Sequence, residues 1–176
     1  MPEGDLGGKG FSEFVAGALP GLLRFGHALT GSPEDAEDLA QEALAGCLRR
    51  WRRVSADDPV AYVRKAMINA HLTRWRRWGS RVRLGDVPEV GAEDVAMARR
   101  EDWDVLQSAL SALPPGQRTV LVLRYLEDLP DTSIAALLGC RPVTVRSQAA
   151  RALAALRPLI TEQAQQRPVG GGGTHA

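Results

Sequence analysis

Residues 31–53 read GSPEDAEDLAQEALAGCLRRWRR. Ser32 stands where a helix N-cap is wanted, Pro33 falls at the first helical position, and Glu34 and Asp35 fall in the first turn. Carboxylates there complement the unpaired amides of a helix start. Ala36, Leu39, Ala40, Ala43, Leu44, Cys47, Leu48 and Trp51 then recur at steps of three and four, the apolar stripe of a helix with one buried face. Arg49, Arg50, Arg52 and Arg53 close the run, where cations suit the carbonyl end of the dipole.

The same period extends in both directions. Upstream, Phe11, Phe14, Val15, Ala18, Leu22 and Leu29 predict a first helix, with Pro20 expected to kink or divide it and Thr30-Gly31 to end it. Downstream, Asp57-Asp58-Pro59 predicts the start of a third helix, from about Val60 to Trp78. Residues 83–101 lose the period and carry Gly85, Pro88 and Gly91, the composition of a linker. Beyond it, Trp103, Leu106, Leu110 and Leu113 mark a helix ended by Pro114-Pro115-Gly116, and Val120, Leu121, Leu123 and Leu126 mark another. A short helix from Thr132 to Leu138, a turn at Gly139-Cys140-Arg141, and a helix opened by Pro142 and running to about Leu156 form a helix-turn-helix. The expected fold is all-α: two small helical domains, residues 11–82 and 102–160, joined by a flexible linker at 83–101. The glycine-rich ends, 1–10 and 161–176, are expected to be disordered tails.

Composition narrows the function. With 44% hydrophobic and 24% charged residues, the 176-residue chain has enough apolar material for a core. Cys47 and Cys140 form no CxxC pair, and His27, His71 and His175 are isolated, so neither a disulfide framework nor a metal site is expected. No apolar run reaches membrane-spanning length, and the opening MPEGDLGGKG lacks the parts of a signal peptide, so a cytoplasmic location is expected. Without a nucleophile motif or a phosphate-binding loop, no enzymatic activity and no cofactor are expected.

The net charge of +1 conceals opposed blocks. Residues 49–83 hold eleven basic residues against Asp57 and Asp58, whereas residues 27–48 hold five acids and no Lys or Arg. The basic block interleaves Arg64, Lys65, Arg74, Arg76 and Arg77 with Tyr62, Trp75 and Trp78, the equipment for gripping a phosphate backbone and stacking unpaired bases. In the last helix, Val145, Ala149, Ala152, Leu153 and Leu156 claim the buried face. Thr144, Arg146, Ser147, Gln148 and Arg151 are then expected on the exposed one, able to bond phosphates and base edges in a major groove. On the acidic helix, Asp38, Gln41, Glu42 and Ala45 lie opposite the apolar stripe. That face is either simply solvated or docks on a basic helical surface of another protein. A stand-alone helix-turn-helix regulator, dimerising on an operator, is the rival reading of the chain, and it leaves the acidic helix unexplained.

Four motifs in this order resemble the extracytoplasmic-function (group IV) sigma factors of bacterial RNA polymerase, of an actinobacterial type. They are the run from Gly31 to Ala43, the segment Ala61 to Asn69, Leu113-Pro-Pro-Gly-Gln-Arg118 with Val122-Leu-Arg124-Tyr-Leu126, and Thr144-Val-Arg-Ser-Gln148. The resemblance implies that residues 11–82 are sigma domain 2 and residues 102–160 sigma domain 4. It implies that Asp35, Asp38, Leu39, Gln41 and Glu42 contact the clamp helices of the polymerase beta-prime subunit, with the beta flap as a further contact of the factor. Asn69 takes the family's position beside a flipped base of a melted minus-ten element, surrounded by Arg53, Tyr62, Lys65, Arg74, Arg76 and Arg77. Thr144, Arg146, Ser147, Gln148 and Arg151 read a minus-35 duplex, with Arg118 and Arg124 at phosphates. Promoter DNA and core polymerase are the implied partners, and an anti-sigma factor is a family expectation. Val143 and Gln148 depart from the Gly and Arg common in the family, which bears on the promoter sequence rather than the role.

Overall fold

The computed structural model describes residues 4–77 and 100–165, with side chains at 10–77 and 103–161. Eight α-helices account for nearly all of them: α1 (Gly4–Thr30), α2 (Pro33–Leu48), α3 (Trp51–Val54), α4 (Pro59–Arg77), α5 (Arg100–Ser111), α6 (Pro115–Leu121), α7 (Asp131–Leu138) and α8 (Pro142–Gln165). A π-helical turn, Val122–Leu126, follows α6 directly.

The start of α2 has the chemistry its sequence requires: Ser32 is extended, and its hydroxyl accepts from the Asp35 amide at 3.3 Å. Asp58 does the same for α4, accepting from the Ala61 amide at 3.0 Å. In the first domain, Leu22, Phe25 and Leu29 of α1 meet Leu39, Ala43 and Cys47 of α2 and Val63, Met67 and Leu72 of α4, all buried. Gly26 permits the close crossing, since a Cβ there would lie 2.9 Å from Met67 Cε and 3.0 Å from Ala36 Cβ. In the second domain, Val120 and Leu123 pack with Ile134 of α7 and Val145, Ala149 and Leu156 of α8. The two sets join in one continuous buried cluster, because α1 also packs on α5 and α6.

Several expectations change. Helix α1 begins at Gly4, inside the expected tail, and Gly10 lies against the Trp51 indole, a tertiary contact that overrides weak propensity. Pro20 sits within α1 without dividing it, since Phe14 and Ala18 before it and Leu22 and Phe25 after it pack on the same core. Helix α8 runs to Gln165, past the expected end, with Leu159 and Ile160 packed on the cluster. Residues 83–99 of the expected linker, Trp78, and residues 1–3 and 166–176 of the expected tails lie outside the described residues.

Candidate nucleic-acid interface

Helix α4 sorts its side chains by face. Val63, Met67, Ile68 and Leu72 point to the core, which leaves Tyr62, Lys65, Asn69 and Thr73, at steps of three and four, along the opposite side. Glu42, from the middle of α2, and Arg50, from the turn after that helix, close a groove of about 650 Å³ around Tyr62, Lys65, Asn69, Thr73, Arg74 and Arg77. Within it Arg50 Nη1 donates to Tyr62 Oη at 3.1 Å, and Arg74 Nη2 pairs with Glu42 Oε2 at 3.0 Å. Four cations against one carboxylate give the groove a positive field, suited to a phosphate backbone. Asn69 is exposed on its wall, and Thr73 Oγ1 is tied back to the Asn69 carbonyl at 2.8 Å.

Of the residues expected at a single strand, Tyr62, Lys65, Asn69, Arg74 and Arg77 are brought together. Arg53 is exposed on α3 but does not line the groove, and Arg76 turns away to donate to the Leu137 carbonyl at 2.6 Å. Arg50 and Thr73 are additions. Arg50 was visible in the sequence only as one of four clustered arginines, and the chain turn after α2 selects it. Trp51 and Trp75 serve packing: the Trp51 ring centroid lies 5.2 Å from those of Phe11, edge-on, and Phe14, tilted, and Trp75 faces the junction with the second domain. Tyr62 is therefore the aromatic ring of the groove among the described residues.

On α2, Asp35, Asp38, Gln41 and Glu42 are exposed, as a docking face requires. Leu39 is not: it is 0% exposed, packed in the core between α1 and α4, so it supports that face from beneath.

The helix-turn-helix is built around Gly139, whose φ of +66° ends α7 in the left-handed region and lets the Cys140 amide reach the Ala135 carbonyl at 3.0 Å. Arg146 is exposed on α8, while Thr144, Ser147 and Arg151 are half-buried, with Ser147 Oγ donating to the Val143 carbonyl at 3.0 Å. Arg124 pairs with Asp131 at 3.6 Å.

In the second domain two residues depart from the expected exposure. Gln148 is 3% exposed, against the first domain. Arg118 is 6% exposed, and its guanidinium donates to the Leu29 carbonyl at 3.3 Å, the Leu113 carbonyl at 3.1 Å, and the Thr30 carbonyl. Leu29 and Thr30 end α1, so their carbonyls have no helical partner, and the negative end of the α1 dipole takes a cation. Gly31 makes the room: at φ +76°, a Cβ there would lie 2.5 Å from Arg118 Nη1. Beside this contact, a cavity of about 210 Å³ is lined by Asp35, His71, Arg74 and Arg118. Burial, then the Arg118 charge, lowers the His71 pKa to about 4, so the imidazole is neutral, 3.1 Å from Thr119 Oγ1.

Residues 14–81 match the sigma-70 region 2 family and residues 103–156 match sigma-70 region 4. The chain is 39% identical over 152 residues to the RNA polymerase sigma-E factor of Streptomyces coelicolor, covering 84% of each chain. It is likewise 39% identical over 150 residues to the RNA polymerase sigma-E factor of Streptomyces antibioticus, covering 84% of this chain and 82% of that one. A solved structure of the sigma factor RpoE of Bartonella quintana, bound to the anti-sigma factor NepR, shares the fold with a TM-score of 0.51. Its identity is 22%, and the match covers 87% of this chain and 98% of that one.

Proposed function

The chain belongs to the extracytoplasmic-function sigma factors of the sigma-70 family, the RNA polymerase subunits of promoter-specific transcription initiation, and from that premise we propose how its own residues divide the task. The first domain docks on the beta-prime clamp helices through the exposed α2 face of Asp35, Asp38, Gln41 and Glu42, held level by buried Leu39. The groove along α4 takes the melted minus-ten strand. Lys65, Arg74, Arg77 and Arg50 neutralise its phosphates, Tyr62 offers a stacking face, and Asn69 hydrogen-bonds a base turned out of the helix. The second domain reads the minus-35 duplex through α8, with Arg146 foremost and Thr144, Ser147, Gln148 and Arg151 beside it, and with Arg118 and Arg124 at phosphates once free. Arg53 and Arg76 serve the strand on either side of the groove.

The observation that carries this reading is the groove itself. Five side chains expected at a single strand, drawn from four turns of one helix, line a common positive cleft whose edge is the acidic α2 face. Stacking and phosphate neutralisation supply the free energy, about 1–3 kcal/mol per stacked base, and no bond is made or broken by this chain. The factor works in the cytoplasm with the polymerase, and its contacts extend to the beta flap through the second domain. A restraining anti-sigma factor belongs to the same reading, supported by the Bartonella factor's having been solved with one.

Run-off transcription tests it: purified core polymerase, with and without this protein, is presented with sheared DNA of the source genome. New discrete transcripts that require the protein are expected. Tight duplex binding without core enzyme, and no initiation with it, would overturn the reading.

A further inference from the structure

Helix α8 opens at Pro142, so Val143 is the second residue of its first turn. Val145, Ala149, Ala152 and Leu156 are buried and fix the rotation of the helix about its own axis. The side turned to water then carries Val143 and Arg146, both exposed, with Ser147 and Ala150, half-buried, at i, i+3, i+4 and i+7. Thr144 and Gln148 stand on the flank instead, where they share a cavity wall with Leu72, Trp75 and Arg76 of α4.

Val143 is 48% exposed. Among the described residues, Leu48 and Val60 are the other large apolar side chains so placed, and both belong to the first domain. An isolated apolar side chain at a surface is ordinary. What distinguishes Val143 is its position, because residues at the start of a recognition helix are those that reach base edges in the major groove. It is also stiff: branching at Cβ leaves one strongly preferred χ1 within a helix, so its two methyl groups are held in place before DNA arrives. The hydroxyl of Ser147, one turn on, donates to the Val143 carbonyl at 3.0 Å, so its proton is already committed, and Arg146 supplies donors beside the valine.

The major groove offers such a side chain one match. Guanine presents two acceptors there, cytosine a donor, and adenine an acceptor and a donor, whereas thymine sets an apolar C5-methyl group beside its single acceptor. A valine laid over any of the first three strips water from polar atoms and returns no hydrogen bond, which weakens binding. Over thymine it buries methyl against methyl, a gain of about fourfold in affinity for each such group removed from water.

We propose that Val143 selects a thymine in the upstream promoter element, its methyl groups packed on the thymine C5-methyl. This rests on the reading of α8 as the helix that meets the minus-35 duplex, and it names what that helix distinguishes at one base pair.

The test uses holoenzyme, assembled from the full chain and core polymerase, and duplexes carrying the upstream element of a promoter mapped by run-off transcription. Each thymine of that element, on either strand, is replaced in turn by deoxyuridine, which removes the C5-methyl and leaves the pairing and the O4 acceptor as they were. At one thymine the replacement is expected to weaken wild-type binding, read by anisotropy, about fourfold. Val143→Ala, which puts a better helix former at an exposed position, should bind the thymine duplex about fourfold more weakly and no longer tell it from the uracil one. Arg146→Ala should weaken both duplexes and keep the ratio between them.

Equal wild-type affinities at every thymine, or an upstream element with no thymine on either strand, would overturn the proposal. So would a methyl preference that survives Val143→Ala undiminished. Holoenzyme that loses affinity when the whole upstream element is scrambled, yet ignores every methyl, would sink Val143 alone. Should scrambling leave binding unchanged, the reading of α8 itself would fall, and this proposal with it.

Discussion

His71 and Gly31 show how single residues depend on what packs over them. The His71 ring faces Asp35 from α2, Arg74 on its own helix and Arg118 from α6, and burial with Arg118 holds its pKa at about 4. The unfolded chain, with an ordinary histidine near 6.5, binds the proton first, so stability falls as pH drops from about 6.5 towards 4. The full effect is about 3 kcal/mol, reached only below both values. Thermal melts from pH 7 to pH 4.5 should show the fall, and His71→Gln should flatten it; an equally steep fall in that variant would exonerate His71. At Gly31 the left-handed φ and the guanidinium, 2.5 Å from where a Cβ would stand, act together. Gly31→Ala should cost about 1–3 kcal/mol in urea unfolding, and a loss below a few tenths would show that Arg118 shifts freely.

At the scale of the helix, function follows which face the core leaves over. On α2, Leu39 at 0% exposure fixes the rotation that puts Asp38, Gln41 and Glu42 outward. Asp38→Arg with Gln41→Ala should abolish binding to core polymerase with the circular dichroism unchanged, and retained affinity would move the docking face elsewhere. On α4, Asn69→Ala should weaken capture of a pre-melted fork by about tenfold, the size of one good hydrogen-bonded base contact, while upstream duplex binding stays as it was. On α8, Arg146→Ala with Arg151→Ala should weaken upstream-element recognition and leave core binding alone; loss of both would signal misfolding. The Glu42–Arg74 pair is exposed at 60% and 36%, so its own contribution to stability is small. Its interest lies in joining a docking residue to a groove residue.

For the whole molecule, the continuous cluster running from Leu22 and Phe25 through Leu113 and Val120 to Leu156 predicts cooperation between the domains. Urea unfolding of the wild type should be a single transition by both fluorescence and circular dichroism, and Glu127→Arg should split it in two. Coincident transitions in both proteins would mean that the 3.3 Å pair of Arg64 with Glu127, which spans the two domains, adds little to the coupling. Much of the architecture is carried by local sequence. The Ser32 cap, the three-to-four spacing on α2 and the Gly139 turn act over a few residues, so the all-α class, the helix-turn-helix and the charged face of α4 follow from the chain read in order. What tertiary structure alone decided involves partners far apart in sequence. Gln148 looks outward by helical period and the resemblance puts Arg118 at a phosphate, but the first domain covers both, and Arg50 joins the groove only because the chain turns there after α2. A period of 3.6 residues fixes which side chains share a face; only the packing of one domain on another fixes whether that face meets water.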